Sequence, residues 1–212
     1  MSYFDDGTLS RRALMLLLGS AIASTPLAPP LTLPVLAEEA APDAIERALT
    51  RSPRRTRGPA DLAKAQATQA RIEQFQQIRR VRGLNLQERE ELAQITEDKP
   101  QIDLTVYFGF DSARIEPQAA SSLNRLAEAL VRPGLRGNGF GIFGHTDAAG
   151  AAQYNQALSE RRAEAVRDYL VASFGIKPET LLAVGYGFER LKDPNHPRAD
   201  ENRRVQIINL DR

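Results

Sequence analysis

Two hydrophobic periods take turns along the carboxy-terminal half of the chain. Ile102-Asp103-Leu104-Thr105-Val106-Tyr107-Phe108 alternates apolar and polar positions as a half-buried strand does. Glu116-Pro117 then opens a helix carrying Leu123, Leu126, Ala127 and Leu130, and Pro133-Gly134 stops it. A strand through Phe140, Ile142 and Phe143 follows, then a long helix to about Phe174 with Gly175 as its C-cap. The pattern continues with a strand at Leu181 to Tyr186, a polar loop and a last strand at Arg204 to Leu210. This βαβαββ order predicts an α+β sandwich for residues 101–212, with helices packed on one face of a small mixed sheet.

Residues 38–100 read as an accessory region of helix and disorder. Asp43 to Thr50 suits a short helix, and Arg51 to Pro59 is a linker rich in arginine and proline. Asp61 can cap a longer helix in which Leu62, Ala65, Ile72, Phe75 and Ile78 form a thin apolar seam ended by Gly83, and Leu86 to Ile95 suits another. The seam can pack on the carboxy-terminal domain or on a second copy, and the sequence does not choose. Residues 1–37 have the form of an export signal. Arg11-Arg12 precedes the apolar run Ala13 to Ala23, and small-residue cleavage sites occur at Ala21-Ile22-Ala23 and at Val35-Leu36-Ala37, the later of which starts the mature chain near Glu38. The paired arginines suggest the twin-arginine route. The run is too short for a membrane span, so none is expected in the mature chain.

Composition narrows the chemistry. With no cysteine, disulfides, thiolate metal sites, cysteine nucleophiles and a lipid-bearing cysteine are excluded. The 212 residues carry a net charge of +1, which exerts no general pull on nucleic acid. Between Arg51 and Arg82 nine Lys or Arg stand against Asp61 and Glu73, a solvated or wall-facing segment without a nucleic-acid motif. No nucleic-acid partner, cofactor or metal is expected. His145 and His196 are the only histidines, and His145 reads as a packed or hydrogen-bonded structural residue.

The candidate site lies where Gly144-His145-Thr146-Asp147-Ala148-Ala149-Gly150 enters the long helix. At 100° per residue, Tyr154, Leu158, Ala165, Val166 and Tyr169 form an apolar stripe that also contains Asn155 and Arg162. A guanidinium on a core-facing stripe is costly unless an anion meets it, so the site calls for an internal or a ligand carboxylate. Asp147 is the acidic half, and the two charges together suit a zwitterion. Other readings stay open. Asp147 can simply cap a turn, Arg162 can pair internally, and Asn202-Arg203-Arg204 can be solvated strand-edge chemistry. Gly185 and Gly187 suit turn geometry. Ser159, His145 and Asp147 are the letters of a hydrolase triad, but a mid-helix serine has no nucleophile elbow and an enzyme is not expected.

Five ordered pieces carry a family resemblance: Tyr107-Phe108-Gly109-Phe110-Asp111; Gly144-His145-Thr146-Asp147 with Gly150; Asn155 with Leu158-Ser159-Glu160-Arg161-Arg162-Ala163; Gly185-Tyr186-Gly187; and Asn202-Arg203-Arg204-Val205. From about Val106 to Ile208 the chain resembles the OmpA-like peptidoglycan-binding domain of outer-membrane protein A tails, peptidoglycan-associated lipoprotein and flagellar stator proteins. The resemblance implies non-covalent binding of peptidoglycan through the meso-diaminopimelate of its stem peptide. Asp147 and Arg162 would hold the ligand's ammonium and carboxylate, helped by Asn155, Asp111, Arg203 and backbone N–H groups at the helix start. It also implies a place in the periplasm or cell envelope of a Gram-negative bacterium, outer membrane included, where residues 38–100 can bind an envelope protein partner. The chain departs from the family in Gly137-Asn138-Gly139-Phe140-Gly141-Ile142-Phe143, where glycines weaken a strand and admit a bulge near the pocket.

Overall fold

A computed structural model describes residues 41–51, 58–109 and 111–211. The expected export signal and the middle of the arginine-proline linker lie outside the described residues. Five helices and four strands follow in order: α1 (Pro42–Thr50), α2 (Pro59–Val81), α3 (Leu86–Thr96), β1 (Gln101–Leu104), α4 (Pro117–Leu130), β2 (Phe140–Gly144), α5 (Ala152–Phe174), β3 (Leu181–Gly185) and β4 (Val205–Asn209). Proline in the first turn starts α1, α2 and α4, where a missing N–H costs nothing. Asp61 sits in the first turn of α2 rather than capping it, and Gly58 holds the N-cap position. A capping box starts α3: the Asn85 carboxamide accepts from the Glu88 N–H, and the Glu88 carboxylate accepts from the Asn85 N–H. Gly175, at φ 64°, ends α5 in the left-handed conformation.

The strands form one mixed sheet in the order β1-β4-β2-β3, with β4 antiparallel to both neighbours and β2 parallel to β3. Alternation sorts the side chains onto two faces. Leu104, Phe140, Ile142, Leu181, Ala183, Val205 and Ile207 point to one core, shared with α4 and α5 as expected and also with Ile45 and Leu49 of α1. Phe143, Leu182, Val184, Tyr186, Ile208 and Leu210 point to the other, where Ile72, Phe75, Leu84 and Leu92 of the α2–α3 segment cover them. The carboxy-terminal part of the α2 seam, Ile72, Phe75 and Ile78, therefore packs on the sheet, while Leu62 and Ala65 are exposed. Arg79 joins the layers with ion pairs to Glu160 at 2.5 Å and Glu164 at 2.7 Å, and Arg89 pairs with Glu189 at 2.9 Å.

Four local expectations are corrected. The first strand stops at Leu104, which pairs with Val205, because the chain before Val205 turns away through a short 3-10 segment at Asp200–Asn202 and offers no further partner. Tyr107 and Phe108 instead begin a hairpin, with Phe108 bridging to Ile115. β2 is unbroken, pairing residue by residue with β3 and β4 from Phe140 to Gly144, so its glycines make no bulge. They permit close packing: a Cβ on Gly144 would lie 2.4 Å from the Ser159 carbonyl oxygen, and one on Gly185 would lie 2.3 Å from the Glu160 nitrogen. Gly185 is thus a strand residue that lets α5 approach, whereas Gly187 has the expected turn conformation at φ 52°. Tyr154, expected on the inner stripe of α5, is 42% exposed.

The outer edge of β3 is occupied by side chains. The Gly185 N–H donates to Glu160 Oε2 at 2.7 Å, the Gly185 carbonyl accepts from Gln156 Nε2 at 2.8 Å, and the Ala183 carbonyl accepts from Arg79 Nε at 2.8 Å.

Candidate functional site

The loop between β2 and α5 is tied down by its neighbours before any side chain contributes. The N–H of His145 donates to the Arg204 carbonyl, that of Thr146 to Gly187 and that of Ala148 to Pro197, all at 2.8–2.9 Å. Asp147 is therefore held on a rigid platform. Its Oδ1 accepts from the Ala149 N–H at 3.0 Å and its Oδ2 from Arg203 Nη1 at 2.8 Å. The turn-capping role is real, and an ion pair accompanies it. Arg203 also reaches Asp200 at 2.5 Å, and these two carboxylates hold its guanidinium above the ordinary value against a smaller effect of burial.

Arg162 comes from the middle of α5. Its Nε donates to the Ser112 carbonyl at 3.0 Å, and its guanidinium carbon lies 4.9 Å from the centre of the Phe108 ring. Among the described residues no carboxylate forms an ion pair with it, so the internal-pairing alternative does not hold. Burial pulls this guanidinium below its ordinary value. Arg203 and Arg161 add to the shift, while Asp147 and Asp111 oppose it. A half-buried cation is stacked, oriented and left without a counter-ion, beside an acid that is already engaged.

The remaining expected residues divide. Asp111 lies on the hairpin before α4, next to Ser112, in a left-handed conformation at φ 52° that is uncommon outside glycine. Asn155 is buried, and its Nδ2 donates to the carbonyls of Ala149 and Ala151 at 2.7 and 3.3 Å. Its amide nitrogen thus serves the loop. Arg204 is not edge chemistry: β4 is an inner strand, and Arg204 pairs with Asp103 at 3.3 Å. Asn202 is fully buried and staples Asp193 to His196. Phe108 and the Ser112 carbonyl, which position Arg162, are absent from the expected site. Both belong to a hairpin that meets α5 only in three dimensions, and the aromatic residue in the first motif was the one available signal.

The triad letters are not assembled. The Ser159 hydroxyl donates to the Gln156 carbonyl and accepts from the Gly187 N–H, and it stabilises the turn after β3. His145 packs against Tyr186 with rings 5.6 Å apart and nearly parallel. No cluster of three metal-ligating side chains occurs among the described residues.

The model of the OmpA family matches residues 107–204, a span that contains Asp111, Asp147, Asn155, Arg162 and Arg203. This chain carries an OmpA family domain. The OmpA domain is 41% identical over 105 residues to the peptidoglycan-associated lipoprotein of Pseudomonas aeruginosa, covering 49% of this chain and 60% of that protein. It is 38% identical over 90 residues to outer membrane porin F of the same organism, covering 42% of this chain and 25% of the porin. Among solved structures it is similar to the peptidoglycan-associated lipoprotein from Burkholderia pseudomallei, with 33% identity, 49% of this chain and 86% of that chain covered, and a TM-score of 0.41. The match thus spans about three fifths of the first lipoprotein. A second peptidoglycan-associated lipoprotein, from Pseudomonas putida, is 39% identical over 105 residues, covering 49% of this chain and 61% of that protein.

Proposed function

We propose that this protein binds peptidoglycan non-covalently and anchors or organises the cell envelope, with the meso-diaminopimelate of the stem peptide as the group recognised. The observation that carries the reading is Arg162: a guanidinium half-removed from water, fixed by Ser112 and Phe108, and without an ion-pair partner among the described residues. A ligand carboxylate completes it, because a planar guanidinium fork accepts a carboxylate in two parallel hydrogen bonds. Asp147, 2.8 Å from Arg203, is the acid offered to the ligand's ammonium. The ammonium would compete with Arg203, which keeps Asp200, at 2.5 Å, as its second carboxylate. Two relatives named as peptidoglycan-associated lipoproteins support the wall as the ligand.

On this reading residues 101–212 are the wall-binding domain, residues 1–37 an export signal, and residues 38–100 an accessory region that can also take a protein partner. The protein works in the envelope of a Gram-negative bacterium, between membrane and wall. Among the described residues no helix is long and apolar enough to cross a membrane.

Co-sedimentation with purified sacculi tests the proposal. Arg162→Ala is expected to lose roughly 2–5 kcal/mol of binding, the loss seen when one partner of a buried charge pair is removed, while the domain stays folded. Normal co-sedimentation by a folded Arg162→Ala protein refutes the site. Sacculi whose diaminopimelate carboxylate is amidated probe the Arg162 contact from the ligand's side and should be retained as weakly as the variant retains native wall.

A further inference from the structure

Across the sheet from Arg162, between α3 and the open ends of β2 and β4, lies a cavity of about 220 Å³ whose lining includes Thr96, His145, Tyr186, Arg190, Arg204 and Gln206. Thr96, Tyr186 and Gln206 are hydrogen-bonded, but His145 and Arg204 are not fully satisfied. His145 is 3% exposed; the Gln206 side chain approaches the ring and slightly favours its charged form, but neither ring nitrogen makes a well-formed hydrogen bond among the described residues. The Nη1 of Arg204 is also buried and unpartnered, although Nε reaches Asp103 and Nη2 the Arg190 carbonyl, both at 3.3 Å. Asp103 is shared, since Lys192 pairs with it at 2.8 Å. The Arg190 side chain stands exposed at the mouth and forms no ion pair among the described residues.

We propose that this cavity is a second ligand site, separate from the Asp147–Arg162 site, that takes a small carboxylate between Arg190 and Arg204 with an N–H of His145 as a third donor. Buried donors without acceptors favour any acceptor that reaches them, and the cations outnumber the carboxylates that answer them. Glu97, on the rim, is the one acidic side chain in the lining. It leaves the lining with two arginines against one carboxylate, a net positive charge that favours a small anion. Burial, reinforced by Arg204 and Arg190, holds the imidazole well below its ordinary value, so at neutral pH it has one donor N–H to give and adds no charge.

Two histidines make the test direct, because His196 lies in an exposed loop against Asp193 and reports only bulk effects. The imidazole resonances of the isotope-labelled full chain are followed at neutral pH while sodium acetate replaces sodium chloride at constant ionic strength. A saturable shift confined to His145 is expected. Arg190→Gln, a change at an exposed side chain, should weaken it about tenfold, equivalent to one modest charged contact. The proposal is overturned if His145 shows no saturable response or if Arg190→Gln responds as the parent does. Arg162→Ala should keep the acetate response while losing sacculi, so failure of either site is read independently of the other.

Discussion

The two faces of the sheet are held by different means. Toward α1, α4 and α5 the contact is almost wholly apolar, with leucines 104, 123, 126, 135 and 170 among its fully buried residues. Toward α2 and α3 the apolar contact is smaller, and charged side chains pin the helices to the sheet and to α5: Arg79 on Glu160, Glu164 and the Ala183 carbonyl, and Arg89 on Glu189. The first face should set global stability. The second should come away as a unit, since regions with few buried apolar contacts open at lower free energy than the core.

Truncation in each core breaks or sharpens this contrast. Leu126→Ala is expected to cost about 2–5 kcal/mol, as buried leucine truncations do, and to lower amide protection in every strand together. Phe75→Ala should cost about 3 kcal/mol, the low end for a buried aromatic, because undocking of the outer helices caps the loss. In hydrogen exchange, residues 59–96 should then lose protection while β2, β4 and α5 keep theirs; uniform loss would show that both faces unfold as one. Arg79→Ala comes next, at about 1–3 kcal/mol, since it strips a donor from the Ala183 carbonyl and a cation from two carboxylates.

The smallest effect is acid. Arg82 holds the Glu88 carboxylate down to about 2, helped by the Asn85 N–H, and Arg71 lowers Glu91. Both folded values lie below the unfolded ones, so this contribution is full above about pH 4.5 and fades as pH falls toward 2. These groups are exposed and tie α2 to α3. Between pH 4.5 and 2 the α3 capping turn should therefore lose protection before the inner strands do. Asp43, lowered by Arg132, does the same for α1 on the other face.

Periodicity made much of this legible. The helix with Leu158, Arg162 and Val166 on one side and Gly175 at its end is local information, and the structure has it where the spacing predicts. The unbroken run Leu181-Leu182-Ala183-Val184 carried a further signal, because a strand apolar on both sides is covered on both, and that is the face α2 and α3 fill. Less could be read where partners are distant. That Arg162 rests on Phe108 depends on a hairpin fifty residues earlier, and that Gly144 and Gly185 admit α5 depends on the Ser159 and Glu160 backbone. Tyr154 looked inward by angle alone, but in the first turn of a helix that begins at Ala152 it is Asn155 that turns inward, and Tyr154 beside it is exposed.

The side chains spent on β3 bear on how such molecules can crowd together. A bare outermost strand is a template on which another chain can zip itself, yet here Gln156, Glu160 and Arg79 already hold the outward-facing groups of Gly185 and Ala183. Many copies brought side by side on one surface can thus stay separate molecules, with no ribbon growing from that border.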